Sequence, residues 1–182
     1  SVAQTITASI QDVNEHTPVF GDADGDGESS TAAANADENQ QAVGTYAATD
    51  ADGSATQTYS IVAVGDNPAS VDHDLFSVAG GGVLTFQAAP NFESAGCGAG
   101  NNANTCVVVI QVTDGANTDT ITVTVTVQDV NEAAPVFTAG DTGSSTPNEG
   151  TTAAGTFAAT DTDGTATQTY SIVAVGDNEA SV

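Results

Sequence analysis

This sequence predicts an all-β chain, a Greek-key β-sandwich of about seven short strands repeated in tandem, and three observations lead there. The first is a period of two, plainest where Ile121, Val123, Val125 and Val127 alternate with Thr120, Thr122, Thr124 and Thr126. A pleated strand sends successive side chains to opposite faces, so the aliphatics go inside and the hydroxyls outside. The second is punctuation: clusters of Gly, Asn and Asp interrupt the apolar runs at short intervals, and no stretch offers a comparable helical period. The third is duplication. GTYAATDADGSATQTYSIVAVGDNPASV from Gly44 returns as GTFAATDTDGTATQTYSIVAVGDNEASV from Gly155 with four substitutions. A barrel remains compatible with the pattern alone.

In chain order, Ser1 to Ile10 aligns with Thr118 to Val127, so residues 1–19 read as the last strand and linker of a preceding repeat. Residues 20–136 read as one complete repeat, and 137–182 as the amino-terminal part of the next, a window on a longer array. Within the complete repeat the strand candidates are Ala32 to Ala36, Val43 to Thr49, Thr56 to Val64, Asp74 to Val78, Gly82 to Gln87, Thr105 to Thr113 and the run through Ile121 to Val127. The duplicated passages are offset by 111 residues here but by 117 at the linkers, so the first copy carries a loop insertion between Phe20 and Gly44.

Of the 182 residues 39% are hydrophobic, enough for a core, but Lys and Arg number 0 against 24 Asp and Glu, a formal charge of -24. Such a chain has no basic footprint with which to displace counterions from nucleic acid, and an anionic membrane surface repels it. No run of about 20 apolar residues is present to span a bilayer, and no basic-then-apolar amino end reads as a signal peptide. The natural partner is a cation. Cys97 and Cys106, the only cysteines, flank a Gly- and Asn-rich connection and read as a disulfide, with a two-cysteine metal site or two buried thiols as the rivals. A disulfide implies an oxidising, extracellular setting.

The linker carries the chemistry. QDVNEHTPVF, Gln11 to Phe20, returns as QDVNEAAPVF, Gln128 to Phe137. Two acids and an Asn within four positions repel one another unless a cation sits among them, and Pro-x-Phe reads as an extended exit anchored by one ring.

DVNEHTPVF resembles the inter-repeat linker of cadherins, Asp-x-Asn-Asp-Asn-x-Pro-x-Phe. The family's other motifs follow in order: ADEN with Glu38, TDADG with Asp50 and Asp52, the hairpin LFSVAGGGVLTF, PNFE with Glu93, and VTDG with Asp114. The resemblance, to a bacterial-type extracellular array, implies calcium held by oxygens drawn from neighbouring repeats. At the first joint it implies Asp12, Asn14, Glu15, Asp50, Asp52 and Asp114. At the second it implies Glu38 and Glu93, then Asp129, Asn131 and Glu132 of the linker, then Asp161 and Asp163. Departures from the family are Asn91 for an Asp, Glu15 and Glu132 for a shorter Asp, and His16 and Ala133 for an Asn. Asn91 removes a charge from the outermost site.

Asp72, Asp74 and Asp119, outside these motifs, are read as solvated surface acids. DADGDGE, with Asp22, Asp24 and Asp26, matches the opening half of an EF-hand loop but has Ala33 at its twelfth position, so an acidic surface turn is favoured over an extra calcium site. His16 and His73 are read as exposed loop residues, since no second His or Cys accompanies either. No Ser-His-Asp order in a Gly-x-Ser-x-Gly context appears, and a phosphate loop ending in Lys is impossible without Lys. The expected function is therefore non-enzymatic: a calcium-rigidified segment of an extracellular adhesin, stalk or matrix fibre. Its expected partners are calcium ions, neighbouring repeats, and like chains in a fibre or on another cell. The alternatives are a fibre subunit that polymerises by lending Ser1 to Ile10 to another chain, or an appendage of a secreted enzyme.

Overall fold

A computed structural model describes residues 1–21, 31–52, 56–63, 65–98, 103–140, 142–163 and 167–173. The chain forms two compact units, Ser1–Gln128 and Asp129–Val182. Asp22, Asp24 and Asp26 lie outside the described residues.

The first unit is built on its longest hairpin, β8 (Thr105–Thr113) and β9 (Thr118–Gln128), paired antiparallel from Thr113↔Thr118 to Thr105↔Thr126. The threonine alternation does what its period requires: Ile121, Val123, Val125 and Val127 are no more than 2% exposed, while the intervening threonines are half-buried. β2 (Thr31–Asp37) runs parallel along the far edge of β9, and β5 (Thr58–Ile61) antiparallel along β8. The facing sheet has the order β3 (Ala42–Thr45), β7 (Val83–Phe86), β6 (Phe76–Ala79), and β1 (Val19–Phe20) pairs with β4 (Ala48–Thr49). The core between the sheets holds Phe20, Phe76, Leu84, Phe86, Val108, Ile110 and Val112, each contributing about 1.5–3 kcal/mol on burial. Each of the seven regions predicted in the complete repeat contains a strand, although Val43 to Thr49 splits into β3 and β4, Asp74 belongs to a 3-10 turn, His73–Leu75, ahead of β6, and Val64 lies outside the described residues. Ser1 to Ile10, expected as a last strand, is exposed and forms none, having no neighbouring strand among the described residues to pair with.

Gly82 explains that split. It has φ of 76°, its carbonyl accepts from Tyr46 N at 2.8 Å, and a Cβ there would fall on the Tyr46 carbonyl. Only glycine lets the β6–β7 turn close this tightly on the chain between β3 and β4. The Cys97–Cys106 disulfide is formed, with Cα atoms 4.8 Å apart and both residues buried. Closing so short a loop stabilises by about 2.5 kcal/mol on the chain-entropy account.

Two acids expected on the surface are structural. Asp72 is only 4% exposed. β5 ends opposite Ile110, so the edge of β8 at Val107 and Val109 has no strand partner. The connection after β5 supplies one atom by atom. Val62 N donates to Val109 O at 2.9 Å, Val109 N donates to Ser70 Oγ at 3.0 Å, and Asp72 N donates to Val107 O at 3.1 Å. The Asp72 carboxylate accepts from Val107 N and Gly98 N, both at 2.7 Å. A buried carboxylate is tolerable where backbone donors neutralise it, which short-range pattern cannot reveal. Asp119 likewise accepts from Phe20 N at 3.0 Å, fixing β1, and from Thr120 N at 2.7 Å. Asp74 is the surface acid expected, 89% exposed.

The second unit repeats the opening of the first. β10 (Val136–Phe137) pairs with β11 (Ala159–Thr160) in the register Val136↔Thr160, matching Val19↔Thr49. Ala159 N donates to Tyr170 OH at 3.0 Å, as Ala48 N does to Tyr59 OH at 2.9 Å. The Phe137–Tyr170 rings sit 6.3 Å apart, against 6.2 Å for Phe20–Tyr59.

Candidate metal centre

The first linker is extended because Pro18 disfavours helix in the residue before it, and it is pinned where Pro18 and Phe20 are buried. Upstream of that anchor, two loops of the first unit meet the linker. The turn after β4 brings Asp50 and Asp52: Asp52 N donates to Asp50 Oδ1 at 2.8 Å, an Asx turn that sets both carboxylates. The β8–β9 turn brings Asp114, whose Oδ1 accepts from Ala116 N at 2.7 Å and Asn117 N at 2.6 Å. The linker brings Asn14, Glu15 and His16.

Asp52 receives the linker with both oxygens. His16 N donates to Oδ2 at 2.6 Å, and His16 Nδ1 meets Oδ1 at 2.7 Å. Asn117 Nδ2 donates to the His16 carbonyl at 2.9 Å from the other side. The head of the Asn14 amide lies 3.2 Å from Asp52 Oδ2 and 3.0 Å from Asp114 Oδ2. Turned one way, its NH2 bridges the two carboxylates; turned the other way, its carbonyl makes a third oxygen that needs a cation among them. Glu15 brings a carboxylate oxygen within 4.8 Å of the ligating atoms of His16 and Asp52.

These contacts set the charges. The backbone N–H of His16 is the main influence holding Asp52 below the ordinary carboxylate value, and the imidazole adds to it against the opposing cost of burial. Asp114 is lowered chiefly by the Asn117 N–H, again against burial. His16 is raised, first by its hydrogen bond to Asp52 and then by that carboxylate's charge. Backbone donors thus favour the ionised forms of Asp52 and Asp114 in a chain with no Lys or Arg.

The residues fit calcium on two counts. The donors are carboxylate and amide oxygens, the set a hard cation takes. Asp50 Oδ2 is also buried with no hydrogen-bond partner, and a buried polar oxygen in that state lacks the compensation that burial demands. Asp12, Asn14 and Glu15 are exposed along the linker.

The acids expected at the second joint are described unit by unit. In the first unit Glu38 is 1% exposed, its Oε2 accepts from Phe92 N at 2.8 Å, and a carboxylate oxygen of Glu93 comes within 4.8 Å of one from Glu38. Asn91 turns its Oδ1 onto Ser94 N at 2.6 Å. In the second unit Asp163 repeats Asp52: it is 2% exposed, accepts from Ala133 N at 2.7 Å, and donates its own N–H to Asp161 Oδ1 at 3.1 Å. A Glu132 carboxylate oxygen lies within 4.8 Å of one from Asp163. Asn131 and Asp129 stand on the linker between Gln128 and Ala133.

His16 is the exposed loop residue expected, with no second His or Cys beside it among the described residues, but its ring is bound to Asp52 and lies close to Glu15. His73 is half-buried rather than exposed, its Nδ1 facing Ser70 O at 3.0 Å. Asn117 was missed because its partner, His16, is 101 positions away.

No protein-family model matches the chain, and no curated protein matches it. Solved structures do. Extracellular cadherin domains 3-6 of protocadherin gamma B2 superpose with a TM-score of 0.58 at 21% identity, over 85% of this chain and 37% of that one. The protocadherin gammaB7 EC3-6 cis-dimer structure gives 0.56 at 21%, over 88% and 39%. Drosophila N-cadherin EC1-4 gives 0.55 at 18%, over 81% and 34%. The chain has a cadherin-like fold. The present chain spans well under half the length of these cadherin segments, and at these identities the likeness is one of fold. Among the described residues no helix is long and apolar enough to cross a membrane.

Proposed function

We propose that this chain is a calcium-rigidified structural or adhesive segment of a longer extracellular repeat protein, with repeat boundaries at 1–19, 20–136 and 137–182. The observation that carries the reading is the oxygen cluster at the first linker, where Asn14, Asp52 and Asp114 converge beside the unpartnered Asp50 Oδ2. Calcium, when bound, supplies the positive charge that lets these oxygens stay together. The protein's own part is mechanical. Asp52 and Asn117 grip the His16 backbone and the Asp119 carboxylate grips Phe20, so the linker is fixed against the repeat that follows it. The carboxylates the linker gathers are spent on holding this joint, which supports a binding and structural role over catalysis. The second joint would use Glu38, Glu93, Asp129, Asn131, Glu132, Asp161 and Asp163 in the same way. Cadherin-like architecture and the disulfide support an extracellular setting.

Asp50→Asn tests the reading because its sign reverses with the ion. In chelator the amide should leave melting unchanged or raise it, since it removes one of several crowded negative charges. In about 10 mM calcium the wild type should rise above the variant, and equivalent sodium should not reproduce the rise. Equal melting of both proteins in calcium and in chelator would remove the support for a calcium joint.

A further inference from the structure

We propose that Glu15, His16 and Asp52 form a transition-metal site of the zinc(II) class at the first linker, one that the second linker lacks because Ala133 stands where His16 does. One atom from each of the three side chains lies within 4.8 Å of the other two. An imidazole nitrogen with two carboxylate oxygens is a borderline donor set that favours zinc, copper or nickel over calcium.

The site is held in advance. Asp52 is only 5% exposed, and its carboxylate is oriented by the His16 backbone N–H at 2.6 Å, while Asn117 holds the His16 carbonyl at 2.9 Å. The ring is therefore attached to a backbone fixed on both sides, and its side chain, 54% exposed, leaves a route for the ion. Zinc bonds of about 2.0–2.1 Å in a tetrahedron place ligand atoms roughly 3.3 Å apart. His16 Nδ1 and Asp52 Oδ1 stand at 2.7 Å across a hydrogen bond. Replacing the shared proton by the metal moves them apart by a fraction of an ångström, and water completes the coordination. The same frame recurs in the second unit with Ala133, Glu132 and Asp163 but without a nitrogen. His73 also touches a carboxylate, Asp74 at 3.1 Å, but among the described residues no third ligand joins them.

The inference goes beyond the calcium reading, since its defining ligand is His16, although Glu15 and Asp52 are common to both and the two ions compete for them. The chain has only two histidines, so their ring protons give two sets of proton magnetic resonance signals, assigned with His73→Ala. Zinc chloride titrated into the chelator-stripped full chain should shift the His16 set until one equivalent is bound and leave the His73 set in place. His16→Ala should weaken zinc binding by calorimetry at least as much as losing an outer-shell partner, about 10–100-fold. His73→Ala should leave it unchanged. No uptake by the wild type, movement of the His73 set instead, or undiminished uptake by His16→Ala would overturn the site. Zinc uptake without any calcium response would leave this inference standing and remove the calcium reading; a calcium response without zinc uptake would do the reverse.

Discussion

Asp72 and Asp74, two residues apart, look alike in sequence and differ entirely in role. Asp74 is in water, whereas Asp72 is buried and neutralises two backbone donors on the edge of β8. Asp72→Ala leaves the N–H groups of Val107 and Gly98 unsatisfied and should cost about 2–4 kcal/mol in denaturant unfolding. Asp74→Ala should stay within about 0.5 kcal/mol. The His16–Asp52 pair gives a pH dependence whose sign is set by the two shifts. His16 is raised from 6.5, so its contribution is complete below that value and is lost as pH climbs through the folded pKa. Asp52 is lowered from 3.8, so its contribution is complete above that value and is lost as pH falls through the folded pKa. In chelator, the melting difference between wild type and His16→Ala should therefore be largest between roughly pH 4 and 6.5 and shrink toward alkaline pH. A difference that grows from pH 6 to 9 would reject the pair as a stabilising contact.

At the scale of elements, the β6–β7 turn and the β8 edge decide whether the two sheets close on each other. Gly81 and Gly82 both have positive φ, 77° and 76°, but a Cβ at Gly81 meets nothing within 4 Å, while one at Gly82 falls on the Tyr46 carbonyl. Gly81→Ala should therefore cost only the left-handed penalty of about 1–2 kcal/mol. Gly82→Ala should cost more, because the segment joining β3 to β4 must also move, and equal losses in the two variants would show that the contact with Tyr46 does not matter. The strands themselves were legible: a strict period of two over Ile121 to Val127 has one solution, and Gly, Asn and Asp clusters mark where it ends. Less legible was the cover on β8. Its guards, Ser70 and Asp72, act through side chains from a connection that carries no strand pattern, so neither period nor propensity points to them.

For the whole molecule, the calcium reading predicts a change in shape. Extracellular modules hold calcium with dissociation constants of about 0.1–1 mM, so at roughly 10 mM each independent site should add about 1.4–2.7 kcal/mol to folding. Small-angle scattering should show a narrower distribution of lengths in calcium than in chelator, and an identical distribution in both would count against a rigidified joint. The sequence by itself pointed to an all-β chain and displayed the duplicated passages and the acidic motifs, whereas the choice of sandwich over barrel was made by the two facing sheets. Strand alternation is a local period, duplication is visible by inspection, and acids crowded into short motifs without Lys or Arg are read directly from the residues. It could not determine which acids are buried or what His16 touches. Asp119 meets Phe20 across 99 positions, Asp72 meets Val107 across 35, and His16 meets Asp52 across 36. A hydrogen bond depends on two groups arriving within about 3 Å, and over such separations only the closed sandwich brings them there.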